Sequence, residues 1–268
     1  FFLLNQNDQK SLLSPVSLTI RNRNEATNRD SNLEKYSFEN LRKRTYEGSE
    51  IKLEKVIKEE ENYFEPQRET RFLSEAKGSY TSWLFSFQSD GQKVTGMLNL
   101  PQKQGKLPVV VMLRGYADDQ IYFTGLGTRK AAGVFAENGF LTLAPDFLGF
   151  GGSDTSSADI LEARFEKPIT VLNLLASIKN LPQANPDKIF LWGHSNGGQI
   201  ALSVLEISQR NIPTVLWAPV TKGFPESVLQ YMGEMDDQGL KVKKAIDDFA
   251  STYESKYYSI DHYWQDIQ

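Results

Sequence analysis

The pattern of apolar and polar residues differs between two parts of the chain. Two strand-like runs, at residues 84–87 and 94–100, flank the pair Asp90-Gly91. A turn of this composition between two such runs predicts an antiparallel β-hairpin. Beyond residue 106 the apolar residues form uninterrupted runs of strand length, separated by stretches with helical spacing. Because strands covered on both faces have continuous apolar runs, this second part predicts a parallel sheet between helices.

The predicted strands and helices alternate along this second part. Strands are expected at residues 107–115, 141–149, 187–193 and 212–220, and helices at 128–140, 159–182 and around 200–208. Pro168 predicts a kink in the second helix, and the charged residues from about Ile51 suit a strand at a sheet edge. The fold class is therefore α/β, with a mostly parallel, doubly wound sheet and the hairpin at its N-terminal edge.

The two ends of the chain differ from this pattern. Residues 1–34 begin with FFLL and are then rich in Asn, Asp, Ser and Arg, which predicts a polar linker or the remnant of a signal or membrane anchor. Such a signal upstream of Phe1 favours an extracytoplasmic or membrane-anchored protein over a cytoplasmic one. Residues 35–268 are expected to form the α/β domain. Within them, residues 222–268 have an amphipathic helical pattern that we interpret as a lid over the carboxyl edge of the sheet.

The composition limits the classes of function. The 268 residues are 40% hydrophobic and 24% charged, with a net charge of -4, which is typical of a globular protein. The sequence has no dense basic cluster, so a nucleic acid partner is not expected. It also has no cysteine, which excludes disulfides, thiolate metal sites and a cysteine nucleophile. We expect neither a metal nor a cofactor.

A candidate nucleophile lies in the sequence GHSNG, at residues 193–197. This pattern is meaningful because an apolar strand precedes it and a helical pattern follows it. A tight turn between the two would hold the Ser195 hydroxyl above the sheet. Gly193 and Gly197 would let strand and helix approach each other, and Gly198 extends this patch of small residues. The pattern therefore predicts a nucleophile elbow with Ser195 as its nucleophile.

Two backbone N–H groups are candidates for an oxyanion hole. The N–H of Asn196 follows the serine at the start of the helix, where the helix dipole also favours negative charge. The second donor should come from the turn after the strand at 107–115, so the N–H of Tyr116 is the candidate. The glycine-rich loop at 146–154 is interpreted as the floor of the pocket.

The other members of a catalytic triad are harder to place. A serine hydroxyl needs a base, usually histidine, and in this type of fold a carboxylate and then the histidine follow the serine along the chain. The sequence has two histidines. His194 precedes the serine and is expected in the pocket wall. His262 is preceded closely only by the adjacent Asp261, which is not positioned to orient it, so we interpret it as a surface residue. Four further aspartates are expected on solvated helix faces: Asp236, Asp237, Asp247 and Asp248.

The segments PDKIFLWGHSNGGQIAL, VVVMLRGY and LAPDFLGFGGSD resemble the α/β-hydrolase superfamily. Within it, residues 77–220 are most similar to the catalytic domain of the prolyl oligopeptidase family of serine peptidases. The resemblance implies that Ser195 attacks a peptide carbonyl and forms an acyl-enzyme. One departure is Arg114, since many relatives have histidine there.

The resemblance also implies two further strands, which would carry the catalytic aspartate and histidine after Gln268. We therefore expect a truncated, partial domain that lacks its C-terminal strands and is inactive by itself. Its outer strand at 212–220 would then leave apolar surface exposed.

Three functions remain in competition at this point. The leading hypothesis is a serine peptidase that cleaves small peptides, and a carboxylesterase of the same fold is the main alternative. An inactive pseudoenzyme or binding module would keep the pocket without the triad. A Rossmann-type cofactor domain is disfavoured, since no G-x-G-x-x-G opens a helix after the first parallel strand.

Overall fold

The computed structural model describes residues 32–57, 79–235 and 237–267. The compact unit begins at Asn32, and the linker predicted over residues 1–34 lies almost entirely outside the described residues. The strands are β1 (Lys52–Val56), β2 (Tyr80–Ser89), β3 (Gln92–Pro101), β4 (Leu107–Leu113), β5 (Leu141–Pro145), β6 (Ala184–His194) and β7 (Thr214–Trp217). The α-helices are α1 (Phe38–Lys43), α2 (Arg129–Glu137), α3 (Ile160–Ser177), α4 (Asn196–Ser208), α5 (Glu226–Leu229) and α6 (Leu240–Ala250).

The predicted hairpin is confirmed and is longer than expected. β2 and β3 pair antiparallel along their whole length, from Tyr80 opposite Pro101 to Ser89 opposite Gln92. Asp90 and Gly91 have φ angles of 53° and 79°, which is the conformation that a two-residue hairpin turn of this type requires. β1 pairs antiparallel with β2 and forms the edge of the sheet.

The parallel part of the sheet is also confirmed. The seven strands have the order β1-β2-β3-β5-β4-β6-β7. β4 runs parallel to β5 and to β6, and β6 runs parallel to β7. β4 and β5 end earlier than predicted, at Leu113 and Pro145, because the following residues turn into loops at the carboxyl edge. The helix predicted over 159–182 is α3, which continues through Pro168.

Helices cover both faces of the sheet, as a doubly wound fold requires. Along β4, Val109, Val111 and Leu113 belong to the larger core, which α1, α3, α4 and α6 cover. Val110 and Met112 point to the opposite face and pack in a smaller core with α2. The alternation explains the uninterrupted apolar run of this strand, since both of its faces are buried.

The outermost strand, β7, has one exposed face. Val215 is 49% exposed and Trp217 is 63% exposed. β7 is also the last strand of the sheet in the described part of the chain. Val215 and Trp217 therefore form exposed apolar surface at this end of the sheet, and truncation after Gln268 as its cause stays a prediction.

The described part of residues 222–267 contains α5, α6 and short 3-10 helices joined by turns. They pack on α3 through aromatic side chains. The ring of Phe165 lies 5.3 Å from those of Phe224 and Tyr258 and 6.0 Å from that of Phe249, measured between ring centroids. A lid function for this segment stays a prediction. None of the described helices is both long and apolar enough to cross a bilayer.

Candidate active site

Ser195 lies on a strained turn between the end of β6 and the start of α4. Its φ and ψ angles are 53° and -121°, a region that non-glycine residues adopt only where the surrounding structure holds them. Three backbone hydrogen bonds do so here. The Ser195 N–H donates to the Trp217 carbonyl at 3.1 Å, and the N–H groups of Gly198 and Val220 both donate to the Ser195 carbonyl at 3.0 Å. The turn therefore has a single geometry, with a partly exposed serine at its tip.

The three glycines of this turn each face another backbone or ring at short range. A Cβ atom on Gly193 would lie 2.6 Å from the Gly197 carbonyl oxygen, and one on Gly197 would lie 2.1 Å from that of Leu113. A Cβ atom on Gly198 would lie 2.5 Å from the Pro219 Cβ. Because no side chain fits at these distances, the glycines let α4 pack directly on β4 and β6.

The turn after β4 lies against Ser195. A Cβ atom on Gly115 would lie 3.2 Å from the Ser195 Cβ and 3.4 Å from the His194 Nδ1. The next residue, Tyr116, has an 86% exposed side chain, and its N–H donates no hydrogen bond within the described part of the chain. The fold thus brings two segments together, the turn that carries Tyr116 and the turn that carries Asn196. The N–H groups of these two residues are the ones predicted for the oxyanion hole.

The buried side chain of Arg114 holds this turn through hydrogen bonds. It is 5% exposed, and its guanidinium donates to the carbonyl oxygens of Gly115 at 2.9 Å and Asp146 at 3.2 Å. The guanidinium also lies over the rings of Phe150 and Tyr122, at 4.2 and 4.7 Å from the centroids. Burial lowers the pKa of Arg114. The residue that departs from the family pattern thus joins the loops after β4 and β5.

Asp146 is a buried carboxylate that the sequence analysis did not single out. It is fully buried and accepts hydrogen bonds from the Thr95 Oγ1 and the Tyr122 hydroxyl, both at 2.6 Å, and from the Thr124 Oγ1 at 2.9 Å. Burial raises its pKa, and the three donors and Arg114 oppose that rise. The available signal was a carboxylate directly after a buried strand, in the sequence LAPDFLG.

Removing one of these donors should destabilise the protein. Tyr122→Phe is expected to lower the free energy of unfolding by about 2 kcal/mol, the usual contribution of a hydrogen bond to a charged group. Urea denaturation would measure the change. Tyr231, which is 38% exposed, provides the control, since Tyr231→Phe removes a hydroxyl from the surface. Equal midpoints for the two variants would contradict the role assigned to Tyr122.

The two histidines lie in different surroundings. His194 is partly buried, next to the turn at Gly115, with its ring 6.3 Å from that of Trp192. His262 is exposed, and its ring contacts those of Tyr257 and Tyr263 at 5.8 and 4.7 Å. None of the contacts described for either ring is with the Ser195 hydroxyl.

Asp261 and, where they are described, the aspartates predicted on solvated helix faces bond to groups other than His262. Asp261 accepts a short hydrogen bond from Ser259. Asp247 and Asp248 form exposed ion pairs with lysines one turn earlier in α6. Asp237 accepts from backbone N–H groups at the start of α6, and Asp236 lies outside the described residues.

A family model and a curated protein each match about half of the chain. Residues 108–256 match a family model described as the alpha/beta hydrolase fold. A similar curated protein is the quorum-quenching protein AidA of Acinetobacter baumannii (strain MDR-ZJ06), which is 24% identical over 147 residues. That match covers 53% of this chain and 45% of AidA, so the chain spans less than half the length of this relative.

Two solved structures are similar in fold. An acylaminoacyl peptidase from Pyrococcus horikoshii has a TM-score of 0.53 at 17% identity, over 73% of this chain and 32% of the peptidase. An acetyl xylan esterase from Paenibacillus sp. R4 has a TM-score of 0.51 at 14% identity, over 90% of this chain and 74% of the esterase. At these identities the likeness concerns the fold alone.

Proposed function

The chain belongs to the α/β-hydrolase family, and from this premise we propose that it is a serine hydrolase whose nucleophile is Ser195. The observation that carries the proposal is the φ angle of 53° at Ser195, between a strand and a helix, with the Gly115 turn against it. A strained serine in this position is the feature that exposes the hydroxyl in a nucleophile elbow.

The proposed reaction is acyl transfer. A base, which is water or buffer where the chain supplies none, takes the proton of the Ser195 hydroxyl as its Oγ attacks the carbonyl carbon of the substrate. The N–H groups of Tyr116 and Asn196 donate to the oxygen that becomes negative. The tetrahedral intermediate then expels the leaving group, which takes up that proton, and leaves an acyl-enzyme. Water hydrolyses the acyl-enzyme to the free acid and restores the Ser195 hydroxyl. Arg114 holds the Gly115 carbonyl through a hydrogen bond of 2.9 Å, which limits the orientation of the peptide group that carries the Tyr116 N–H.

Esters of carboxylic acids are the substrate class that fits this site best. An amide releases an amine that must be protonated as it leaves, which demands a well-placed acid, whereas many alcohols leave without this help. Neither histidine of the sequence has a described contact with the Ser195 hydroxyl. Hydrolysis of activated esters does not require an acid that protonates the leaving group, so the described groups around Ser195 suit esters better than amides.

A serine peptidase, the leading hypothesis from the sequence, is the second candidate. The family resemblance that favours it depends most on the second glycine after the serine, Gly198. Packing also accounts for that glycine, because a Cβ there would lie 2.5 Å from the Cβ of Pro219. Comparing hydrolysis of p-nitrophenyl acetate with that of dipeptide p-nitroanilides would separate the two candidates. Cleavage of the anilides at a comparable rate would favour the peptidase.

Covalent labelling tests the nucleophile without requiring turnover. We expect a fluorophosphonate probe to label one site per chain, in the peptide that contains Ser195, and Ser195→Ala to abolish the labelling. Free imidazole in the buffer supplies a base if the chain itself provides none, so it should increase the labelling rate of the wild type.

The matched control for this experiment is His262→Ala. Its exposed ring has no described contact with Ser195, so the labelling rate should equal that of the wild type. Labelling of the Ser195→Ala variant at the wild-type rate would refute the proposal, as would an unlabelled wild type in the presence of imidazole.

A further inference from the structure

Two basic side chains of α3 point into the layer between α3 and α4. Arg164 donates hydrogen bonds from its Nη2 to the Gln199 Oε1 and, at 3.0 Å, to the Ser227 Oγ. The Gln199 Nε2 in turn donates to the Lys222 carbonyl at 2.9 Å. Both acceptors of the Arg164 guanidinium are neutral groups. These hydrogen bonds hold the guanidinium in place, but they do not neutralise its positive charge. Lys167, one turn further along α3, is the second basic group.

Within the described part of the chain, no carboxylate pairs with either charge. In residues 32–57, 79–235 and 237–267, neither Arg164 nor Lys167 forms an ion pair, and the Lys167 ammonium has no hydrogen-bond partner. Burial, together with the smaller effect of the positive charges of Arg164 and Arg114, lowers the pKa of Lys167 to about 8. Burial likewise lowers the pKa of Arg164 to about 10. Like charges that share a partly buried site without a counter-ion destabilise each other.

A small cavity adjoins both groups. It has a volume of about 40 Å³ and is lined by Arg164, Lys167, Gln199 and Ser203, together with apolar residues such as Phe165 and Phe224. On this measure a cavity needs roughly 10–15 Å³ to hold one water molecule, so this one has room for a group of the size of a carboxylate. The donors for a ligand are the guanidinium and the ammonium, because the Gln199 amide and the Ser203 hydroxyl already donate to backbone carbonyls.

We propose that this cavity binds one small anion, a carboxylate or an inorganic ion of similar size, through Arg164 and Lys167. The anion supplies the negative charge that the two basic groups lack, and charge-assisted hydrogen bonds hold it. The Ser203 hydroxyl, which donates to the Gln199 carbonyl at 3.1 Å, closes the far wall.

One wall of the site comes from the helix that begins next to the candidate nucleophile. Gln199 follows Ser195 by four residues in α4, a rise of about 6 Å along the helix axis. The anion therefore has two sources of the same chemistry, a free ion in solution or a carboxylate group on the substrate. The first source does not depend on catalysis by Ser195, so anion binding and the proposed hydrolase activity can fail separately.

Thermal unfolding in acetate tests the site directly. Sodium acetate is titrated against sodium gluconate at constant sodium concentration, since gluconate is too large for the cavity. The Tm of the wild type should rise by about 3 °C when acetate reaches roughly ten times its Kd, because a ligand that binds only the folded state stabilises it. Lys167→Met and Arg164→Gln should lose this rise. In gluconate alone, Lys167→Met should unfold at a higher Tm than the wild type, because an uncompensated charge has been removed.

Lys179→Met is the matched control, because Lys179 is an exposed lysine just after α3. It should keep the full response to acetate. If acetate shifts the Tm of the wild type and of Lys167→Met equally, or shifts neither, the anion site is refuted. Each variant is compared with itself in acetate and in gluconate, so a variant with a low Tm still shows whether acetate raises that Tm.

Kinetics then distinguish the two sources of the anion. Mono-p-nitrophenyl esters of succinate and glutarate are compared with p-nitrophenyl acetate. If the site holds a substrate carboxylate, Lys167→Met should raise the KM of the monoesters at least tenfold and leave that of the acetate ester unchanged. Equal KM values assign the site to a free anion. An absence of turnover with all three esters would count against the proposed function, while the response of the Tm to acetate would still decide the anion site.

Discussion

Replacing Gly197 with alanine should lower the free energy of unfolding by about 3 kcal/mol or more, among the largest effects of a one-carbon change in this chain. The new methyl carbon would lie 2.1 Å from the Leu113 carbonyl oxygen and 2.5 Å from that of Arg114. Both are backbone atoms at the end of β4, so no side chain can rotate to make room. α4 and β4 would have to separate, which also displaces the Gly115 turn from Ser195. Guanidinium denaturation and fluorophosphonate labelling would measure the two consequences.

The control for this experiment is another alanine at a glycine with free space. Gly233 has no atom within 4 Å of the position that a Cβ would occupy, and its φ is not in the left-handed region. Gly233→Ala should change the free energy of unfolding by less than about 0.5 kcal/mol. A Gly197→Ala variant as stable as this control would show that the contact between α4 and β4 is looser than described.

Stability should fall as the pH rises from 5 to 7, and Glu206→Gln should remove much of that fall. Glu206 is fully buried in α4, and neither of its carboxyl oxygens has a partner among the described residues. Arg42 forms no bond with this carboxyl group, since its side chain donates to the Glu206 backbone carbonyl at 3.1 Å and pairs with Asp266 at 2.7 Å. Burial outweighs the positive charge of Arg42, which lowers the pKa of Glu206. Together with the charges of Asp266 and Asp261, burial raises that pKa to about 9.

The direction of the effect follows from proton linkage. Below the unfolded pKa, near 4.5, Glu206 is protonated in both states and has no effect on stability. As the pH rises towards 9, the unfolded state loses this proton and the folded state keeps it, so folding becomes less favourable. Between pH 5 and 7 the loss amounts to about 3 kcal/mol. Glutamine resembles the protonated carboxyl group and does not titrate, so the variant should lack this part of the slope.

Urea denaturation at pH 5, 6 and 7 would compare the wild type with Glu206→Gln. Glu226 is exposed in α5, so Glu226→Gln is the control and should keep the wild-type slope. If the free energy of unfolding of Glu206→Gln declined with pH as steeply as that of the wild type, Glu206 would be charged in the folded protein and the linkage would be wrong.

The sequence predicted the fold class and the type of most elements because these depend on local spacing. The uninterrupted apolar run before Leu113 and the Asp90-Gly91 pair are short-range signals, and both elements are present. Element ends were less accurate. β5 was expected to reach residue 149 but ends at Pro145, since apolar residues such as Phe147 and Leu148 are buried in a loop rather than in a strand.

The candidate site was predicted only in part. The strand, turn and helix around Ser195 are contiguous in sequence, so their relation could be inferred from one segment. The network around Asp146 joins residues from β3 and from the loops after β4 and β5. Arg164, Lys167 and Glu206 each occupy a helical pattern in which a basic or acidic residue normally faces water. Their burial depends on which helices lie against α3 and α4, and periodicity alone does not contain that information.

The α/β alternation, the hairpin and the turn that carries Ser195 could be inferred from local patterns, because each depends on residues close together in the chain. The position of β5 between β3 and β4, the approach of Gly115 to Ser195, and the cavity that two basic groups share without a carboxylate among the described residues follow from the tertiary structure. These features depend on strand order and helix packing across long separations in sequence. The same local pattern of strands and helices is compatible with other strand orders and other helix packings. The packing of the whole domain therefore determines which residues come into contact.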